Sequence, residues 1–247
     1  MTAIIIKRTA LTLIFLISLF QVAWGEGADK RWSIEPAVSI GGVYEFVEDA
    51  SLYTGGKITV RYASERVVFK GLYRLDDYQM TYYASPMNSV YALITSGVPA
   101  GPLLQKVKVP ERKEDVGLLL GRRFGDGLYL LAGGRQITLR NDFSTMMFAG
   151  PALDAEGSWS WGDREVKIGL DGIWGTSSRV ENHMKEYVVY EGVETASFYG
   201  IPWYSVGWRA SIGNRQWTRL SLGYEGTLMT FKHTYRYYHG LALSADF

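Results

Sequence analysis

The chain has 247 residues and no cysteine, and its 26 lysines and arginines against 25 aspartates and glutamates leave a formal net charge of +1. The missing cysteines exclude the small stapled extracellular scaffolds, and the balanced charge gives no reason to expect a nucleic-acid partner. The 28 glycines, 17 tyrosines, 8 tryptophans and 10 phenylalanines against 7 prolines describe a chain of strand formers and interface-seeking aromatics.

At the N-terminus, Lys7 and Arg8 precede an apolar run from Ala10 to Ala23, and Ala23-Trp24-Gly25 puts small residues where a signal peptidase reads. The run is shorter than the ~20 apolar residues a spanning helix needs, and no stop-transfer charges follow. Residues 1–25 are therefore expected to be a cleaved signal peptide rather than an anchor, and residues 26–247 the exported domain.

Beyond Glu26 the dominant signal is alternation. Ile34, Pro36, Val38, Ile40 and Tyr44 share one face of a strand, opposite Glu35, Ser39 and Glu45. The pattern returns in Val166, Ile168, Leu170 and Trp174 against Lys167, Gly169 and Asp171, and in Tyr204, Val206, Trp208 and Ala210 against Ser205, Gly207 and Arg209. It continues in Leu220, Leu222, Tyr224 and Leu228 against Arg219, Ser221, Glu225 and Thr227, and in Leu241, Leu243, Ala245 and Phe247 against Ala242, Ser244 and Asp246. Helical spacing fits none of these segments. Strands are expected near residues 31–46, 54–63, 66–82, 115–124, 127–140, 145–161, 164–176, 199–212, 215–231 and 237–247.

Connections alternate in length. Tight polar turns are expected at Ala63-Ser64-Glu65-Arg66, Gly125-Asp126-Gly127, Gly162-Asp163-Arg164 and Gly213-Asn214-Arg215, and longer connections at 47–53, 83–114, 141–144, 177–198 and 232–236. Aromatics gather at two heights: Phe124, Trp161, Trp217 and Phe247 at the tight-turn ends, and Tyr44, Phe46, Tyr82, Tyr83, Trp174, Phe231 and Tyr237 at the other. The fold class this implies is all-β: a closed antiparallel up-and-down transmembrane β-barrel of about ten strands, with eight to twelve compatible. A soluble β-sandwich or lipocalin-like barrel is the competing architecture, disfavoured by the many Leu, Val and Trp on one face beside many charges on the other.

These features resemble the small outer-membrane β-barrel proteins of Gram-negative bacteria. The resemblance implies the outer membrane as location, its lipid and lipopolysaccharide as surroundings, and the outer-membrane assembly machinery as a partner that reads the terminal strand ending in Phe247. It implies no reaction.

If the apolar face meets lipid, the lumen receives Glu35, Glu45, Lys57, Arg61, Lys70, Arg74, Asp76, Arg123, Asp154, Glu156, Lys167, Asp171, Arg209, Arg219, Glu225 and Asp246. Arg135 joins them if the ambiguous parity of 129–139 falls that way. A barrel of this size is only wide enough for side chains or one small ligand. Mutual pairing of these charges, filling the lumen, is expected ahead of a narrow hydrated, porin-like pore.

Signals for chemistry are sparse. His183, His233 and His239 are the three histidines, so neither a metal site nor a cofactor is expected. Gly55-Gly56 and Gly133-Gly134 lack the sequel of a phosphate loop and read as curvature or close side-chain packing. Asp76 and Asp77 at one rim, with Glu181-Asn182-His183 at the facing one, are similar in layout to omptins, the ten-stranded outer-membrane proteases. That resemblance implies a carboxylate-oriented histidine activating water, or a related lipid A-modifying hydrolase. The two aspartates are adjacent, however, so a regular strand points them to opposite faces, and Glu181 stands where omptins have Asp. Lys232 and Arg236, among the aromatics of 231–239, are candidates for lipopolysaccharide phosphates. The leading expectation is a non-enzymatic structural or surface-binding barrel.

Overall fold

Period-two alternation becomes long antiparallel strands: β1 (Trp32–Glu45), β2 (Glu48–Ala63), β3 (Val67–Pro86), β4 (Gln105–Phe124), β5 (Leu128–Asn141), β6 (Ser144–Trp161), β7 (Arg164–Asn182), the short β8 (Tyr187–Val189), β9 (Phe198–Asn214), β10 (Leu220–Phe231) and β11 (Thr234–Ala245). The structure is a computed structural model. It describes residues 32–247 except 46–47, 65–66, 87–95, 98–100, 102–104, 126, 143, 183–186, 190–197, 215–218 and 232–233. The expected signal peptide, His183, Lys232, His233, Phe46 and Trp217 lie outside the described residues.

Each long strand pairs with its neighbours in chain order, β7 with β9, and the wall closes through β1–β11 and β2–β3. The result is a closed antiparallel barrel of ten strands. Closure leaves no open edge at membrane depth, where hydrocarbon offers backbone groups no partner. Ile34 and Phe247 exchange both backbone hydrogen bonds at 3.1 Å, which ties the last residue to the first strand at the tight-turn rim. At that rim the expected turns are made by Gly125 and Gly162, whose φ of 61° and 59° is the left-handed region that glycine enters without steric cost.

Exposure follows the alternation. Along β4, Val116, Leu118 and Leu120 are exposed while Asp115 and Leu119 are buried. Leu222, Ile168 and Val206 stand on the outside at 55%, 46% and 44% exposure, so they do not form a sealed core, and the soluble alternative fails on that point. Exposed leucine outside and buried lysine inside is the reverse of a water-soluble protein, and it is the arrangement that hydrocarbon stabilises.

Observed strands outrun the expected ones at the end with the longer connections. β4 begins at Gln105, where the chain from 105 to 114 was expected to be a connection, and β7 runs to Asn182 past the expected end at 176. Above the apolar belt both faces of a strand are polar, so the hydrophobic alternation that marks a strand disappears while the ladder continues. β3 and β4 pair as far as Ala84–Gln105, whereas β2 leaves β3 at Tyr53–Tyr78, so this hairpin rises above its neighbour. β8, from the connection between β7 and β9, pairs with Ala84–Pro86 of β3, which ties that connection across the mouth to the opposite wall.

Candidate functional site: the filled lumen

Charged side chains occupy the lumen in tiers set by strand register. Nearest the tight-turn rim, Lys167 donates to Asp246 at 3.2 Å and lies 3.7 Å from Glu165. Glu35 turns inward among Lys57, Lys167 and Arg61. In the next tier Asp154 and Glu156, two residues apart on β6, face three cations from other strands. Lys70 reaches Asp154 at 2.5 Å and also bonds Glu156, while Arg61 and Arg209 both bond Glu156.

Higher still, Arg135 lies between Asp115 (2.5 Å) and Asp171. Arg74 bonds Asp76 at 2.7 Å and Glu225 at 2.8 Å, with Lys57 at 3.6 Å from Glu225 and Lys113 at 3.6 Å from Asp76. The outermost tier centres on Glu111. Its carboxylate accepts from Arg236, from the Tyr78 hydroxyl at 2.6 Å and from the Asn141 amide at 2.8 Å, and Tyr78 bonds Tyr238 at 2.9 Å. Lys113 stands 4.2 Å over the Tyr238 ring.

These pairings are what makes burial of charge tolerable. An ion taken out of water without a partner costs several kcal/mol, and multidentate hydrogen bonding offsets much of it. Apolar side chains fill the space between: Val68, Leu119 and Leu131 toward the tight-turn rim, and Ile137, Leu139, Met146, Phe148, Ile173, Trp203 and Met229 toward the other end. Val43, Tyr53, Tyr78, Met80 and Tyr238 pack together on another stretch of the inner wall. Glycines supply the room. A Cβ on Gly117 would lie 2.5 Å from Cγ of Arg135, one on Gly169 2.6 Å from Nε of Arg209, and one on Gly207 2.5 Å from Oδ1 of Asp171.

Of the residues expected in the lumen, Lys57, Arg61, Lys70, Arg74, Asp76, Asp154, Glu156, Lys167, Asp171, Arg209, Glu225 and Asp246 meet in these tiers, and Arg135 joins them. Glu45 holds inward register opposite Arg236, and its side chain lies outside the described set. Arg123 keeps inward parity at the tight-turn end of β4, half-buried, where it donates to the Gly125 carbonyl at 3.0 Å. Arg219 is a correction: it is exposed just before β10 begins, with φ of 49°. Arg236 is the larger correction. Instead of facing lipopolysaccharide it points inward at 1% exposure and bonds Glu111, because β11 starts at Thr234 and its parity turns 236 into the lumen. Glu111, Lys113 and Asp115 were missed because they lie in the stretch expected to be a connection and its border with the strand. Their spacing of two was the available signal.

The omptin-like rim does not assemble from the described residues. Asp76 is fully buried against Arg74 and Lys113, while Asp77 faces outward and accepts from Arg112 at 2.8 Å. Glu181 sits in β7 opposite Thr145.

No family model and no curated protein matches the chain. Among solved structures it is similar to the outer membrane protease OmpT from Escherichia coli, at 10% identity and a TM-score of 0.46 over 90% of this chain and 99% of that one. It is also similar to the translocator domain of the autotransporter NalP from Neisseria meningitidis, at 12% identity and a TM-score of 0.42 over 97% of this chain and 96% of that one. A third is the β domain of the Bordetella autotransporter BrkA, at 9% identity and a TM-score of 0.45 over 86% and 99%. The membrane assignment follows from the molecule itself: a closed wall, an apolar exterior and charges inside make the chain an integral β-barrel of the bacterial outer membrane.

Proposed function

We propose that this barrel is a non-conducting, non-enzymatic scaffold of the outer membrane that holds its raised β3–β4 hairpin outside the cell as a surface for binding. The observation that carries the reading is the lumen filled tier by tier, from the Lys167–Asp246 pair at one end to the Glu111–Arg236 pair at the other. A passive pore needs a continuous wet path, and side chains as buried as Lys70, Lys113, Asp76 and Glu111 weigh against one. A hydrolase built on Asp76 needs that carboxylate in reach of substrate, and its burial beneath Tyr78 and Glu111 weighs against that as well. The tying of β8 to β3 across the mouth favours a braced, load-tolerant outer end, which suits a rigid presenter of loops.

Planar-bilayer recording tests this reading. Purified barrel, with insertion verified by protease protection, is expected to give silent membranes at both polarities. Stable unitary steps that scale with salt would replace the scaffold by a pore.

A further inference from the structure

On the lipid side of the wall, at the tight-turn ends of β7, β9, β10 and β11, lies a groove of about 340 Å³ lined by Arg164, Ile212, Asn214, Leu220, Leu222 and Leu243. Register explains its floor. Leu222 is the cross-strand partner of both Ile212 and Leu243, so the three form one outward row. Below that row the β9–β10 ladder ends at Gly213–Ser221.

One cation stands at its rim. Arg164 opens β7 opposite Asn214, is exposed, and makes no ion pair among the described residues. Glu165 beside it turns inward to Lys167, and the exposed Asp163 of the turn is the nearby carboxylate in sequence. Arg219, immediately before Leu220, adds a second exposed cation at this rim. It keeps an arginine in the left-handed region, where glycine or asparagine would sit at lower cost.

We propose that this groove is a binding site for an anionic phospholipid of the periplasmic leaflet, one acyl chain lying along Ile212, Leu220, Leu222 and Leu243 and the phosphate meeting Arg164. The position selects the class of occupant, since the wall here faces hydrocarbon and the tight-turn rim lies at headgroup depth. Charge selects the headgroup. A zwitterionic lipid brings its own ammonium beside Arg164 and Arg219, whereas a phosphoglycerol head brings net negative charge that two arginines attract.

The test uses barrel purified from membranes and placed in nanodiscs with equal parts phosphatidylglycerol and phosphatidylethanolamine of matched chains. Lipids that remain bound after gentle extraction are counted by native mass spectrometry. Each arginine at the membrane surface contributes about fivefold, so enrichment of phosphatidylglycerol by at least about fivefold is expected. Arg164→Gln is expected to lower the enrichment about fivefold, Arg164→Gln with Arg219→Gln to bring the ratio close to one, Arg164→Lys to keep most of it, and Leu222→Trp, which fills the groove, to remove tightly held lipid of either kind. Unchanged sheet content by circular dichroism shows that each variant is folded. Equal retention of the two lipids by the parent barrel, enrichment insensitive to Arg164→Gln, or a second copy of the chain in place of lipid would overturn the proposal.

Discussion

Two tiers of the same lumen bury charge in different ways. Around Glu156 five ionic groups share contacts, and the tier stays partly wet: the side chains of Arg61 and Arg209 keep 18% and 28% of their exposure. Around Glu111 a single carboxylate takes three donors in a dry setting, with its own side chain at 0% and that of Arg236 at 2%. The lower tier spreads the loss of one member over its neighbours and over water. The upper tier is drier, and its described contacts converge on one carboxylate.

The largest effect should come from emptying the upper tier. Glu111→Ala takes the carboxylate away from the buried Arg236, Tyr78 and Asn141 and is expected to lower stability by about 3–5 kcal/mol, read as a shift of the guanidinium midpoint in detergent micelles. Replacing both partners by apolar residues, Glu111→Leu with Arg236→Met, is expected to cost less than the single change, because no charge is then stranded. A double variant as unstable as Glu111→Ala would mean that the tier is held by shape instead of charge.

In the lower tier, Glu156→Gln is expected to cost about 1–3 kcal/mol, since Lys70 and Arg209 keep Asp154 and water reaches the rest. A loss equal to that of Glu111→Ala would erase the distinction between the tiers. Gly117→Ala adds a methyl against the Arg135 side chain and is expected to cost about 1–2 kcal/mol in the same assay. Smallest of all is Arg112→Ala, which removes an exposed partner of Asp77 on the outer wall. It should cost no more than about 1 kcal/mol and vanish at high salt.

Sequence alternation was a good guide wherever one face of a strand meets lipid and the other the lumen. The segments around Val38, Ile168, Val206, Leu222 and Leu243 became strands with the expected faces outward. It failed above the membrane. The outer half of β4 carries Glu111, Lys113 and Asp115 inward and Arg112 and Glu114 outward, so a hydropathy pattern reads as one charged run even though the ladder is unbroken. Arg236 was misplaced for a related reason: among the aromatics and cations of 231–239, only the start of β11 tells which parity is inside. Partners were not legible either. The charge list showed that pairing was necessary, but Lys70 finding Asp154 and Glu156, 84 and 86 residues away, depends on closure of the wall.

The most direct test of the account is the solvent that alternate residues meet. Because the chain has no cysteine, single-cysteine spin labels can be placed along β10 at 220, 221, 222, 224, 225 and 227 without background. Collision with oxygen, which dissolves in hydrocarbon, should be high at 220, 222 and 224 and low at 221, 225 and 227, with little collision with a water-soluble nickel complex at the latter three. Oxygen access that does not alternate, or nickel access to 225 and 227 as free as in water, would contradict a lipid-facing wall around a filled lumen.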